Sequence, residues 1–448
     1  MFWSLIFLGF IFVILLKIYA WEIQPSISLS SEQQAVLDLI ESHNNHLFIT
    51  GKAGSGKSTL LKAFKSSTKK RVVVLAPTGI AALNVGGQTI HSFMQLSTSL
   101  KLDERKLSHQ KTTLLKSLDA VIIDEISMVR ADVIDAIDRR LRQARSCQLA
   151  FGGVQLIMFG DLYQLPPIVD DLMVQKYLEV KYSGIYFFNA EVWRLTKLYV
   201  YELNSIFRQS DDDFKRILNE IRQGSISQKS LEILNKRVQS PKPNSQVITL
   251  APTNKVVNEI NNLKLERLSG REYSYATSKY NLKVIDGSID NPLRLKVGAQ
   301  VMLTKNDPHK RWVNGTLGTV KSLTRRNIKV KIGTKVYSIN KSVWTKTEYC
   351  FSPKTSSIEE KIVKVAEQYP IKLAWAVTIH KSQGQTYDSC VIDLSHGAFT
   401  KGQAYVALSR CKSLEGLYLK SVVLASDIET DPKIEQFIKT HKMNQYLY

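Results

Sequence analysis

Short runs of aliphatic and β-branched residues recur along the chain, separated by stretches whose apolar positions fall at helical spacing. His46 to Thr50 (HLFIT), Arg71 to Ala76 (RVVVLA), Ala120 to Asp124 (AVIID) and Val154 to Phe159 (VQLIMF) predict strands. Strands that alternate with helices predict an α/β fold, with a parallel sheet covered on both faces. A helix is expected to start near Ser31. A second series starts near Leu198, includes Gln246 to Ala251 (QVITLA), and resumes at Lys372 to Ile379 and Ser389 to Leu394. Between its two parts, at about 291–366, the pattern changes. Asn314-Gly315 signals a hairpin, and Ile328 to Ile332 alternates apolar with basic residues ahead of Gly333, which predicts a small antiparallel β-barrel.

The first residues follow neither pattern. Met1 to Leu16 carries no charge, and with Lys17 snorkelling the run through Trp21 is long enough as a helix to span a hydrocarbon core roughly 30 Å thick. Trp3, Tyr19 and Trp21 sit where interfacial aromatics belong. A cleaved signal peptide is the competing reading; the missing Lys or Arg ahead of the run and Ile18 two residues before Ala20 favour a retained transmembrane helix. The expectation is a single-pass membrane protein with its bulk on the cytoplasmic, nuclear or matrix side, joined by a linker at 22–30 (EIQPSISLS).

Charge and cysteine usage narrow the classes. The 448 residues carry 61 Lys+Arg against 40 Asp+Glu, a formal charge of +21, which attracts polyanions such as nucleic acid or simply solubilises the surface. Cys147, Cys350, Cys390 and Cys411 form no C-x-x-C pair and the histidines show no ligand spacing, so the only metal expected is one that arrives with nucleotide.

Gly51-Lys52-Ala53-Gly54-Ser55-Gly56-Lys57-Ser58 fits G-x-x-x-x-G-K-[ST] between a predicted strand and a predicted helix. In such a loop, backbone N–H groups point at phosphates, Lys57 reaches the β and γ phosphates, and the Ser58 hydroxyl holds Mg²⁺. The strand at Leu118 to Ile123 ends in Asp124-Glu125, placing one carboxylate to position Mg²⁺ and the next to activate an attacking water. ATP and Mg²⁺ are therefore the expected cofactors.

Further motifs carry a resemblance. Residues 27 to about 425 resemble superfamily-one helicases of the Pif (Pif-one) and RecD type, and within them the Pif family: Leu29-Ser-Ser-Glu32-Gln33, Pro77-Thr78-Gly79, Gly87-Gln-Thr89-Ile-His91-Ser92-Phe93, Phe151-Gly152-Gly153-Val-Gln155-Leu156 running into Gly160-Asp161-Leu-Tyr-Gln164-Leu165-Pro166-Pro167, and Gly402-Gln403-Ala-Tyr405-Val-Ala-Leu408-Ser409-Arg410. The resemblance implies that Gln33 contacts adenine, Gln164 senses the γ-phosphate, and Gly384 contacts nucleotide. Arg208 and Arg410 would stabilise transition-state charge from a second domain. Pro77, Thr78, His91, Ser92, Phe93, Thr253, Asn254, Thr378, His380 and Lys381 are implied to touch single-stranded DNA. Phe93 reads equally as a core residue, and His380 has a structural alternative.

The implied architecture is two RecA-like P-loop NTPase domains with an SH3-like insert. The first domain would span 31–197, with a wedge insert near 95–117. The second would take 198–290 and 367–430, the barrel 291–366, and a tail 431–448. The implied activity is ATP-dependent 5′→3′ translocation on single-stranded DNA and unwinding of tailed duplexes by a monomer, in DNA replication, repair or recombination. The rivals are an RNA or hybrid translocase, and a tethered scaffold that binds ATP without useful turnover.

Overall fold

The computed structural model describes residues 28–97, 107–169, 171–205, 207, 209, 211–242, 245–277, 290–352, 355, 357–395, 397–398 and 400–441. Two parallel sheets face each other across a cleft. The first contains β1 (His46–Gly51), β2 (Val72–Ala76), β3 (Gln88–Thr89), β4 (Ala120–Ile123), β5 (Gln155–Phe159) and β6 (Leu198–Leu203), in the order β3-β2-β4-β5-β1-β6. Their near-continuous apolar runs follow from burial on both faces. Phe48, Val121 and Leu156 enter one core, and their neighbours Leu47, Ile122 and Ile157 enter the other, as the two-residue period of a strand demands.

Helices α1 (Ser31–Ser42), α2 (Lys57–Ser67), α3 (Gly79–Asn84), α4 (Ile90–Met94), α5 (His109–Ser117), α6 (Ala131–Arg145) and α7 (Leu172–Tyr182) belong to this first lobe. The second lobe holds α8 (Asp212–Arg222), α9 (Gln228–Asn235), β7 (Ile248–Ala251), α10 (Asn254–Glu266), and, after an insertion, three further strands. In the insertion, β8 (Tyr273–Tyr275) pairs with β9 (Leu293–Leu295). Strands β10 (Gln300–Leu303), β11 (Leu317–Leu323), β12 (Ile328–Ile332) and β13 (Lys335–Ile339) then form an antiparallel sheet. A long hairpin follows, β14 (Ser342–Ser352) with β15 (Ser357–Gln368), and β16 (Ile371–Leu373) closes the antiparallel sheet at β10. The strands β17 (Ala376–Thr378), β18 (Cys390–Ile392) and β19 (Leu417–Leu419) complete the parallel sheet β17-β7-β18-β19, with α11 (Gln403–Leu408) before β19 and α12 (Pro432–His441) after it.

Several expectations need correction. The transmembrane helix expected at 1–21 is withdrawn, and with it the membrane partner and the single-pass location. No helix among the described residues is long and apolar enough to cross a membrane, and residues 1–27 lie outside those residues. The boundary at 197/198 moves, because Leu198–Leu203 pairs along the whole of β1 as the edge of the first sheet. The run Lys372 to Ile379 is two strands: β16 joins the insert and β17 the second lobe. Of the tail expected at 431–448, the described part is a packed helix: α12 buries Ile434, Phe437 and Ile438 in the first lobe, with Phe437 stacked on Phe188 at 4.3 Å, and residues 442–448 lie outside the described residues. The tight hairpin falls at Gly333, φ +58, between β12 and β13, whereas Asn314-Gly315 sits in the longer connection between β10 and β11.

Candidate nucleotide and nucleic-acid site

The P-loop leaves β1 and enters α2 through Gly56, whose φ of +82 is open to glycine at little cost; a Cβ there would collide with Gln33 Nε2. Gln33 is almost fully buried. Its Oε1 accepts from Ser30 N–H at 3.0 Å in a capping box, and its Nε2 donates to Gly56 O at 3.3 Å. The residue expected to contact adenine thus also fixes α1 to the P-loop. Lys57 Nζ donates to Gly51 O at 2.6 Å and Lys52 O at 3.1 Å, so the lysine lies along the loop it serves.

Gln33, Gly56 and Lys57 line a cavity of about 760 Å³ together with Ala53, Gly54, Ser55, Ser58, Glu125 and Gln164 of the first lobe, while Gly51 and Lys52, also expected at the nucleotide, are not on its wall. The second lobe contributes Gly384, Thr386, Arg410 and Lys412 to the same cavity. Arg410 is buried and held in place by its own lobe: Nε donates to Val406 O at 2.9 Å and Nη2 to Ser409 Oγ at 2.8 Å. Across the cleft, Tyr405 Oη accepts from Ala53 N–H at 2.9 Å. Arg208 lies outside the described residues, while its neighbour Phe207 lines the cavity with its ring largely exposed.

For both acids burial is the largest influence, and Lys57, Lys62 and Arg410 offset it only in part. Burial, then Glu125, pushes the Asp124 carboxyl up to about 7. Burial raises Glu125 as well, against the pull of Lys57 and Arg410. Glu125 also sits in the left-handed region at φ +51, a strained position for a non-glycine residue at the end of β4. Ser58 and Asp124 offer a hydroxyl and a carboxylate beside one groove, the hard oxygen donors that Mg²⁺ takes alongside nucleotide phosphates.

That groove, about 1060 Å³, is lined by Thr78, Thr253, Asn254, Thr378, His380 and Lys381, all expected to touch DNA. It shares Ser58, Glu125 and Gly384 with the nucleotide cavity. Thr378 Oγ1 accepts from Lys381 N–H at 3.2 Å, and burial lowers the His380 pKa. Pro77 and His91 are half-buried and Ser92 exposed, none of them on the groove wall. Phe93 is a core residue. It is fully buried, edge-on to Tyr349 at 5.8 Å and capped by the Lys111 ammonium at 3.9 Å, so it offers no platform for bases in this arrangement.

Residues 28–232 match the family model for PIF1-like helicases. An ATP-dependent DNA helicase Pif1 from Bdellovibrio bacteriovorus is 34% identical over 92% of this chain and 92% of its own length. The chain belongs to the PIF1-like helicases. A Xenopus laevis ATP-dependent DNA helicase PIF1 is 35% identical over 91% of this chain, which spans 62% of that longer protein. Unliganded Pif1 from Bacteroides sp is 37% identical and superposes with a TM-score of 0.83 over 93% of this chain and 98% of that one. Bacteroides Pif1 bound to single-stranded DNA, also 37% identical, superposes at 0.69 over 92% of this chain and 97% of that one.

Sequence reasoning missed a repeat that this PIF1-like helicase displays twice. Leu75-Ala-Pro-Thr78 ends β2 and Leu250-Ala-Pro-Thr253 ends β7. Each threonine caps the next helix with nearly the same backbone, φ −119 and ψ 156 at Thr78, φ −124 and ψ 155 at Thr253. Both helix N-termini border the groove, one from each lobe, and the repeated Leu-Ala-Pro-Thr was the available signal. Asn306 and Asn314 of the insert also line the groove; Asn314 is legible in the sequence only as part of a turn signal, and no local motif marks Asn306.

Proposed function

We propose that this PIF1-like helicase hydrolyses ATP, with Mg²⁺, to move 5′→3′ along single-stranded DNA and open tailed duplexes, in DNA replication, repair or recombination. The observation that carries the reading is the sharing of Ser58, Glu125 and Gly384 between the nucleotide cavity and the groove. A change in cleft closure necessarily moves groove walls that come from both lobes. The names and ligands of the relatives, DNA helicases and a DNA-bound Pif1, support DNA as the track.

In this reading Lys57 and the P-loop amides hold the phosphates, and Gln164 reads the γ-phosphate position. Glu125 orients and deprotonates the attacking water, while Arg410, with Arg208, stabilises charge that builds up in the transition state. Bound Mg²⁺ would be held by Ser58 and Asp124 and would neutralise phosphate charge. Gln33 and Gly384 border the nucleotide, and Thr78, Thr253, Asn254, Thr378, His380 and Lys381 follow the strand's backbone with neutral donors and one full charge.

The test is strand separation by the full chain on duplexes carrying a 5′ or a 3′ single-stranded tail, with Lys57→Ala as control. Opening of the 5′-tailed duplex alone, and none by the control, is the expected result. Hydrolysis without opening would make the protein a translocase; DNA binding without hydrolysis would leave an ATP-binding scaffold.

A further inference from the structure

One of the links between the two lobes is a buried arginine that no motif above includes. Arg222 ends α8, whose Phe214, Ile217 and Ile221 belong to the second lobe's core. Its guanidinium crosses to the first lobe. Nη2 donates to Asp161 Oδ1 at 3.2 Å and Nη1 to Glu202 Oε1 at 3.1 Å, with the charged carbon 4.3 Å from the Tyr163 ring centre. The Asp161 side chain is wholly buried and that of Arg222 is 7% exposed.

The other oxygen of the same carboxylate serves the nucleotide site. Asp161 Oδ2 accepts from Gln164 Nε2 at 3.3 Å, and Gln164 lines the cavity. One carboxylate therefore bonds the γ-phosphate glutamine with one oxygen and the second lobe with the other. Removal of charged groups from water is costly unless geometry and further bonds compensate, and a joint needing only adhesion between lobes could be apolar. A directional pair instead fixes the angle of α8 against the turn that carries Gln164. Burial opposes the guanidinium's charge, yet Asp161 and Glu202 hold its pKa above the ordinary value, so the guanidinium stays charged.

We propose that Arg222 is a positioning residue that couples the two ligand sites: through Asp161 it ties the aim of Gln164 to the placement of the second lobe, so that nucleotide and DNA influence each other's binding. The inference rests on the helicase reading. The coupling is the ratio of Kd values for a dT oligonucleotide with and without a non-hydrolysable ATP analogue, and reciprocity requires the same ratio for the analogue with and without DNA.

The experiment measures this ratio, the DNA-stimulated kcat and KM for ATP, and the melting midpoint. The full-length variants are Arg222→Gln, Arg222→Lys, Asp161→Asn and the Arg222→Gln/Asp161→Asn double. We expect Arg222→Gln to bring the ratio to within twofold of one and to lower kcat at least tenfold, with KM changed less than threefold. Asp161→Asn should do the same, and the double variant should be no worse than either single. Arg222→Lys, which reaches one carboxylate but not both, should keep the fold and lose coupling severalfold. Should Arg222→Gln fail to fold, unchanged coupling in Arg222→Lys overturns the proposal. So does a double variant whose losses multiply. A wild-type chain with no coupling and no DNA stimulation overturns the helicase reading with it, whereas coupling intact in every variant sinks this inference alone.

Discussion

At the scale of single residues, the site tolerates few additions. Gly402 caps α11 at φ +76, and a Cβ there would lie 2.6 Å from Tyr163 O and closer still to Gln164 O. Gly402→Ala should push α11, with Arg410 just beyond it, off the turn that holds Gln164. The expected outcome is at least a tenfold loss of DNA-stimulated ATP turnover; Gly333→Ala, at an open turn with no atom within 4 Å, should cost only ~1 kcal/mol of stability in a denaturant titration and spare turnover. His46 supplies a pH prediction. It is buried against Phe151 and Trp193, its Nδ1 accepts from Leu156 N–H at 3.1 Å, and burial lowers its pKa to about 4. Because the folded value lies below the unfolded one of about 6.5, the unfolded chain takes up the proton first. Stability is thus unaffected well above pH 6.5, falls by roughly 2 kcal/mol by pH 5, and levels off below pH 4. Unfolding free energies of His46→Asn should lack that part of the acid slope, and an unchanged slope would refute the assignment.

At the scale of elements, capping and reach matter most. The β14–β15 hairpin belongs by sequence to the insert, yet it lays Tyr349 in the first lobe's core, with the hydroxyl accepting from Val74 N–H at 3.3 Å. Tyr349→Phe leaves that buried amide without its partner and should destabilise the chain by about 1 kcal/mol, measured as a shift in denaturation midpoint. The matched caps give a second expectation. Thr78→Ala and Thr253→Ala each remove a side-chain acceptor from a helix N-terminus that borders the groove, and each should cost about 1 kcal/mol, with Ser recovering most of it. Both Ala variants should also bind single-stranded DNA more weakly.

For the whole molecule, the net charge of +21 and the groove make DNA affinity strongly dependent on salt. Lys381→Ala should reduce the slope of log Kd against log salt by about 0.7, the contribution of one phosphate contact on a single strand. An unchanged slope would place Lys381 off the strand. The described arrangement superposes better on unliganded Bacteroides Pif1, at 0.83, than on the form bound to single-stranded DNA, at 0.69, with identity equal at 37%.

The sequence by itself determined what depends on neighbours along the chain. An uninterrupted apolar run specifies a strand buried on both faces, Gly56-Lys57 and Asp124-Glu125 specify the ends of two such strands, and the motif around Arg410 specifies the opposing wall of the cleft. Tertiary structure decided which surfaces meet. Leu198–Leu203 reads as a strand from its own residues, but only the open edge of β1 assigns it to the first lobe. Tyr405 reaches Ala53 across 352 positions, Tyr349 reaches Val74 across 275, and Arg222 reaches Asp161 across 61. No period or spacing in the chain encodes these partners. They are selected because burial of an amide or a carboxylate is tolerable only where the folded chain brings it a partner.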